Sequence, residues 1–255
     1  LQQILSVLAG QSAKKNKPRK LMRALRRVRK ILGRPRNLDV MAELVEEKIA
    51  ATSNPVTRDA WDQLRNYLKD RRSRATERSR QKLRGFDIVD LAARSRAIID
   101  GAGSSEPLQD SLEQGVAAAL AAWRDTIATA KAKLTPEELH ALRIGAKRLR
   151  YRLELLAELG DDEAKARVKS LRRLQDRLGS WHDRQILLET CAEFLSRKGF
   201  LTSDPGLARA LLVEMEREQR RSRAAVDGLV KHAEKVSGGF GEAQTARAES
   251  SESTA

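Results

Sequence analysis

The stretch His140-Ala141-Leu142-Arg143-Ile144-Gly145-Ala146-Lys147-Arg148-Leu149-Arg150-Tyr151 carries two stripes at once. Read at the helical period, Leu139, Leu142, Ala146, Leu149 and Leu153 form one stripe, and His140, Arg143, Lys147, Arg150 and Tyr151 form another beside it. Just upstream, Thr135, Pro136 and two glutamates suit a helix start. The hydroxyl accepts from a free N–H group, the proline ring already holds a helical φ, and the acids oppose the dipole. The stretch is therefore predicted to be an amphipathic helix with its leucines in a core. Its second stripe sets a histidine, three cations and a phenol along about three turns. Arginine offers a planar fork to phosphate oxygens and lysine a point charge, so such a line can hold successive phosphates of a polyanion.

The same design recurs twice. Over 18–32, Arg19, Arg23, Arg26 and Lys30 share a face opposite Leu21, Leu25, Val28 and Leu32, and no acid precedes Asp39. Over 162–178, Lys165, Lys169 and Arg172 stand opposite Val168, Leu171, Leu174 and Leu178. Solvated helices usually interleave acids at four-residue spacing, and each like-charge pair otherwise costs about 0.2–0.5 kcal/mol. A basic face alone is most often simply solvated. The absence of acids from 14–36, with the basic face repeated elsewhere, favours an anion site over that reading. On the long helix expected over 55–84, the cations from Arg65 to Arg84 suit either of two roles, closing the basic surface or keeping the chain soluble.

The repetition is in register. Leu25-Arg26-Arg27-Val28-Arg29-Lys30-Ile31-Leu32-Gly33 aligns without a gap on Leu171-Arg172-Arg173-Leu174-Gln175-Asp176-Arg177-Leu178-Gly179, and Arg19, Arg23 and Arg26 fall on Lys165, Lys169 and Arg172. Two related helical halves are expected, 1–103 and 104–236. Apolar residues recur at three- and four-residue spacing almost throughout, with no alternating run of β-branched residues, so the fold class is all-α. Glycines and prolines divide the chain into helices over 1–9, 18–32, 37–53, 55–84, 86–100, 106–133, 136–159, 162–178, 181–198 and 205–235. Short connections imply antiparallel neighbours and hence helical bundles. Residues 237–255, with two adjacent glycines and then mostly small and polar residues, are expected to be a disordered tail.

Composition narrows the partner. Fifty Lys plus Arg against thirty-five Asp plus Glu give a net charge of +15 over 255 residues, which calls for an acidic partner. Aromatics are only 4% of the chain, so stacking platforms for bases are scarce and phosphate is the better target. The single cysteine, Cys191, forms no internal disulfide and reads as a small core residue, which fits a reducing, cytoplasmic compartment. No apolar run reaches the ~18 residues a membrane span needs. His140 and His182 are not at metal-ligand spacing, and no Gly-rich phosphate loop or nucleophile motif is present, so neither a metal, a cofactor nor catalysis is expected. Asp183, after Gly179, reads as a helix cap, with His182 beside it as a further phosphate donor.

Taken together, His140-x-x-Arg143-x-x-x-Lys147-Arg148-x-Arg150-Tyr151 and Leu174-Gln175-Asp176-x-Leu178-Gly179-x-x-His182-Asp183 resemble the second-half motifs of the CHAD domain, the conserved histidine α-helical domain. Leu32-Gly33-x-x-x-Asn37-Leu38-Asp39-Val40 resembles the first-half turn, with Asn37 in place of the usual aspartate. The resemblance implies two pseudo-symmetric antiparallel four-helix bundles, no catalytic activity, and binding of inorganic polyphosphate in a basic groove, with association to polyphosphate granules. Carried over, the basic site falls on His140, Arg143, Lys147, Arg148, Arg150, Arg172, Arg173, Arg26 and Arg27. The stripes add Lys165, Lys169, Arg19, Arg23 and Lys30, and His182 joins them. The family's first His-x-x-Arg helix would precede Leu1, so the first bundle is expected either to begin upstream or to lack that helix. Nonspecific nucleic-acid binding by the same surface is the alternative. Oligomeric state is left open by the sequence.

Overall fold

The computed structural model describes residues 16–100, 106–197 and 200–252. The helix expected over 1–9 lies outside them. Every element among the described residues is a helix: α1 (Asn16–Ala51), α2 (Pro55–Leu83), α3 (Ile88–Asp100), α4 (Glu106–Lys133), α5 (Pro136–Glu158), α6 (Asp162–Leu195), the single turn α7 (Phe200–Ser203) and α8 (Pro205–Glu252). The chain is all-α in its described part.

Local chemistry sets the starts. Asn54 Oδ1 accepts from Thr57 N at 3.0 Å ahead of α2, and Thr135 Oγ1 accepts from Glu138 N at 3.3 Å ahead of α5. Asp87 and Asp161 do the same for α3 and α6. Between α4 and α5 the chain reverses in two residues, with Leu134 at φ +51°. Behind α5, Gly160 takes φ +98°, a conformation open to a residue without Cβ.

Two expected breaks are absent. α1 runs through Gly33 and Pro35, and α6 through Gly179. Proline removes the N–H that would bond the carbonyl four residues back, here that of Ile31. Ser79 Oγ on α2 donates to the Ile31 carbonyl at 3.0 Å, so the orphaned acceptor is satisfied from outside the helix. At Gly179 the cost is only about 1 kcal/mol relative to alanine. Burial of Leu174, Leu178 and Trp181 on one side and Leu187, Cys191 and Phe194 on the other outweighs it. Asp183 is accordingly not a cap but an interior residue of α6, whose cap is Asp161. The expected tail is also helical at its start: α8 continues through Gly238 and Gly239 to Glu252, because Ser237 and Phe240 are buried in a core.

The chain forms two compact units. One contains α4, α5, α6 as far as Trp181, and α8 from Ala224; the other contains α1 to α3 and the chain from His182 to Arg223. In the first, Leu112, Val116, Leu120, Trp123 and Ile127 of α4 pack with Leu139, Leu142, Ala146, Leu149 and Leu153 of α5. Leu171, Leu174 and Leu178 of α6 and Leu229, Val230, Ala233 and Phe240 of α8 close that core. In the second, Met41 and Val45 of α1 meet Trp61, Leu64 and Leu68 of α2, Leu187, Cys191 and Phe194 of α6, and Ala208 and Leu211 of α8. Cys191 is thus the core residue its neighbours suggested. α4 and α5 approach closely at Gly145, where a Cβ would stand 2.7 Å from Trp123 Cδ1.

Candidate functional site: a basic face on α5 and α6

The leucine stripe of α5 is in the core, since Leu139, Leu142, Ala146, Leu149 and Leu153 are at most 1% exposed. Its neighbouring stripe is therefore turned toward the surface. His140 and Tyr151 are exposed, and Arg143, Lys147 and Arg150 are half-buried. On α6, Lys165, Lys169, Arg172 and Arg173 are exposed, while Val168, Leu171, Leu174 and Leu178 are buried.

One carboxylate joins the two helices. Arg172 Nη2 donates to Glu154 Oε1 at 2.9 Å, and Arg150 Nη1 lies 3.5 Å from the same oxygen. Glu154 is one helical turn past Arg150, on the same stripe. The α5 and α6 stripes thereby meet at this carboxylate, within one unit. Sharing one acid between two arginines leaves the cluster positive. The Arg150 guanidinium also sits 4.7 Å from the centroid of the Tyr151 ring, and its buried Nε meets no acceptor among the described residues. At the start of α6, a hydrogen bond and the charge of Asp162 hold the Lys165 ammonium above its ordinary range. That lysine is already partnered, whereas Lys169 and Arg173 form no ion pair among the described residues.

Arg148 departs from the stripe. It is about 100° around the helix from Lys147, beside Arg152, whose guanidinium donates to the Gly115 carbonyl of α4. Burial and then the charge of Arg148 depress the Arg152 pKa. His182 belongs to the other unit, half-buried in the interior of α6. Arg19, Arg23, Arg26, Arg27 and Lys30 are likewise in that unit, all exposed along α1. The Arg27 guanidinium lies 5.5 Å from the centroid of Phe86. Because α1 is unbroken, its stripe continues one turn past Lys30 to Arg34. Reading Gly33 and Pro35 as a break concealed that residue.

A third histidine, His232 on α8, was not singled out by any motif. Its Nδ1 lies 2.9 Å from Arg177 Nη1, and burial, then the charges of Arg177 and Lys235, depress its pKa. Both effects favour the neutral ring, whose Nδ1 can then accept from Arg177. Among the described residues no cluster of His, Cys, Asp and Glu could hold a metal ion, and no helix is long and apolar enough to cross a membrane.

A family model described as the CHAD domain matches residues 1–192. The chain belongs to the CHAD domain family. Curated proteins offer no match to it. The matched span stops within α6 and leaves α8 outside, although α8 supplies core residues to both units of this CHAD protein.

Proposed function

We propose that this CHAD protein binds inorganic polyphosphate without catalysis, and that binding places it on polyphosphate granules in the cytoplasm. The observation that supports the reading is Glu154 shared by Arg150 and Arg172, which joins the end of the α5 stripe to the α6 stripe. His140, Arg143, Lys147 and Arg150 on one side and Lys165, Lys169, Arg172 and Arg173 on the other suit a chain of tetrahedral anions. Arg148, on the flank, extends the field. In the other unit the acid-free face of α1, with Arg19, Arg23, Arg26, Arg27 and Lys30, offers the same chemistry, and His182 is assigned to that unit's contribution.

The same reading takes the two halves as pseudo-symmetric bundles. What supports it is that the ungapped pair Leu25–Gly33 and Leu171–Gly179 lies within two long helices, α1 and α6.

The test is a titration with long-chain polyphosphate across a range of salt, with duplex DNA and RNA as competitors at equal phosphate. Affinity is expected to fall steeply with salt as counterions are released, yet to favour polyphosphate at near-physiological salt. Arg143→Glu combined with Lys147→Glu should abolish binding with helicity intact. Equal affinity for all three polyanions would replace this reading with nonspecific nucleic-acid binding.

A further inference from the structure

α1 and α2 run antiparallel, and three contacts fix their register: Ser79 with Ile31, Arg72 with Asp39 and Arg65 with Glu46. As the residue number rises on one helix it falls on the other. Arg34 consequently comes opposite the turn that separates Arg74 from Arg78. Arg34, Arg71, Arg74 and Arg78 line a single cavity of about 270 Å³ together with Leu38, Tyr67 and Ala75.

No carboxylate lines this cavity. Of the lining arginines Arg71 already has Glu193 as a partner, while the nearby Asp39 and Glu77 pair outside the lining with Arg72 and Arg80. Arg34, Arg74 and Arg78 are exposed and form no ion pair among the described residues. Like charges gathered around a concave, low-dielectric wall concentrate a positive field there, and an anion relieves it. We propose that this arginine pocket between α1 and α2 is a binding site for a short oligophosphate group of about the size of tripolyphosphate, separate from the face on α5 and α6.

Size and lining select that ligand. At about 270 Å³ the cavity falls below the ~300–1,000 Å³ usual for drug-sized ligands. A run of small tetrahedral groups fits such a space. A nucleotide base has no platform: the one ring is Tyr67, whose centroid already lies 5.4 Å from the Arg71 guanidinium and 5.1 Å from that of Arg197. Planar guanidinium forks from two helices match the several faces of a phosphate chain better than a single carboxylate. The ligand is either a free oligophosphate or a segment of a longer chain. This site stands on the cavity and its charge, and not on the reading of α5 and α6.

The full chain would be titrated calorimetrically with tripolyphosphate, long-chain polyphosphate and ATP. Variants are Arg74→Gln with Arg78→Gln in the pocket, and Arg96→Gln with Arg223→Gln, which remove the same charge from the same unit outside the lining. Tripolyphosphate affinity should fall about tenfold or more in the pocket pair, and no more than about twofold in the control pair. ATP should bind no more tightly than tripolyphosphate. If long-chain polyphosphate weakens along with tripolyphosphate in the pocket pair, the site takes a chain segment; if tripolyphosphate alone weakens, it takes the free oligophosphate. Both results support the pocket. Unchanged tripolyphosphate affinity in the pocket pair, or equal loss in the control pair, overturns it. Arg143→Glu with Lys147→Glu should leave tripolyphosphate affinity in place, so failure of the α5 and α6 reading is scored separately.

Discussion

Pro35 sits inside a helix that remains unbroken because a side chain on another helix replaces the donor it removed. The perturbation that isolates this is Ser79→Ala, made with and without Pro35→Ala. In the native sequence, Ser79→Ala leaves the Ile31 carbonyl without its donor, and an orphaned polar group of this kind costs about 1–3 kcal/mol. Ile31 is half-buried, which places the cost near the lower end, at about 1.5 kcal/mol. For a chain of this size that corresponds to a fall in Tm of about 3–6 °C. In the Pro35→Ala background a backbone N–H again serves the Ile31 carbonyl, so loss of the hydroxyl should cost about 0.5 kcal/mol or less. The coupling is therefore about 1 kcal/mol, readable as a difference of urea midpoints followed by far-UV circular dichroism. Pro35→Ala alone should stabilise, by less than the ~3 kcal/mol separating proline from alanine in a regular helix, because the structure already accommodates the ring. An equal cost of Ser79→Ala in both backgrounds would refute the argument.

Three further outcomes are expected. Burial, reinforced by the charge of Glu218, pushes the Cys191 thiol up to about 12, so a thiol reagent at mildly alkaline pH should leave the folded protein unlabelled and react fully after unfolding; fast native labelling would contradict this core position. Glu218 is 3% exposed and accepts from Lys48 at 2.5 Å and from Arg184 and Arg221 at 2.9 Å each. Burial alone would raise its pKa, but the Lys48 hydrogen bond and the charges of Lys48, Arg184 and Arg221 outweigh that and hold it below the ordinary value. A depressed folded pKa means that its stabilisation is present above the unfolded value of about 4.3 and is lost as pH falls through the folded one. Glu218→Gln should cost about 3 kcal/mol at neutral pH, with the gap to the native chain closing in strong acid; a gap independent of pH would count against the pairing. Gly145→Ala should destabilise by about 1–3 kcal/mol despite a better helix propensity, because its Cβ would meet Trp123, whereas Gly33→Ala and Gly179→Ala, with nothing within 4 Å, should stabilise by about 0.5–1 kcal/mol each. Thermal unfolding reads all three, and a gain in Gly145→Ala would sink the close-approach argument.

What could be read from the residues was what depends on spacing within a helix. The α5 stripe placed its five core positions, and Thr135 its start, because both follow from periodicity and from hydrogen-bond chemistry a few residues long. What escaped was set by residues distant in the chain. Whether Pro35 breaks α1 depends on Ser79, and whether Gly179 breaks α6 depends on leucines and aromatics flanking it on both sides. The extension of α8 past Lys235 depends on Phe240 finding a core built by α4, α5 and α6. Glu154 is ordinary in sequence, and only the packing of α5 against α6 makes it the link between two basic stripes. Arg34 was hidden by the same error that divided α1.

Net charge does not locate an anion site; the placement of acids does. Along α2, Arg65 has Asp62 and Glu46, Arg72 has Asp39, Arg80 has Glu77 and Arg71 has Glu193. These cations are largely compensated, and their ion pairs in solvent contribute little to stability. Arg74 and Arg78 are left over on the face turned to Arg34, on a helix α1 that carries no acid before Asp39. On α5 and α6, Glu154 answers two arginines and Asp162 one lysine, so the cations of these stripes outnumber the acids paired with them. An excess of +15 spread evenly would be a diffuse field that salt screens within about 10 Å. Concentrated where neighbouring acids are already occupied, the same excess becomes a short-range site that a string of phosphates can enter and that scattered counterions compensate less well.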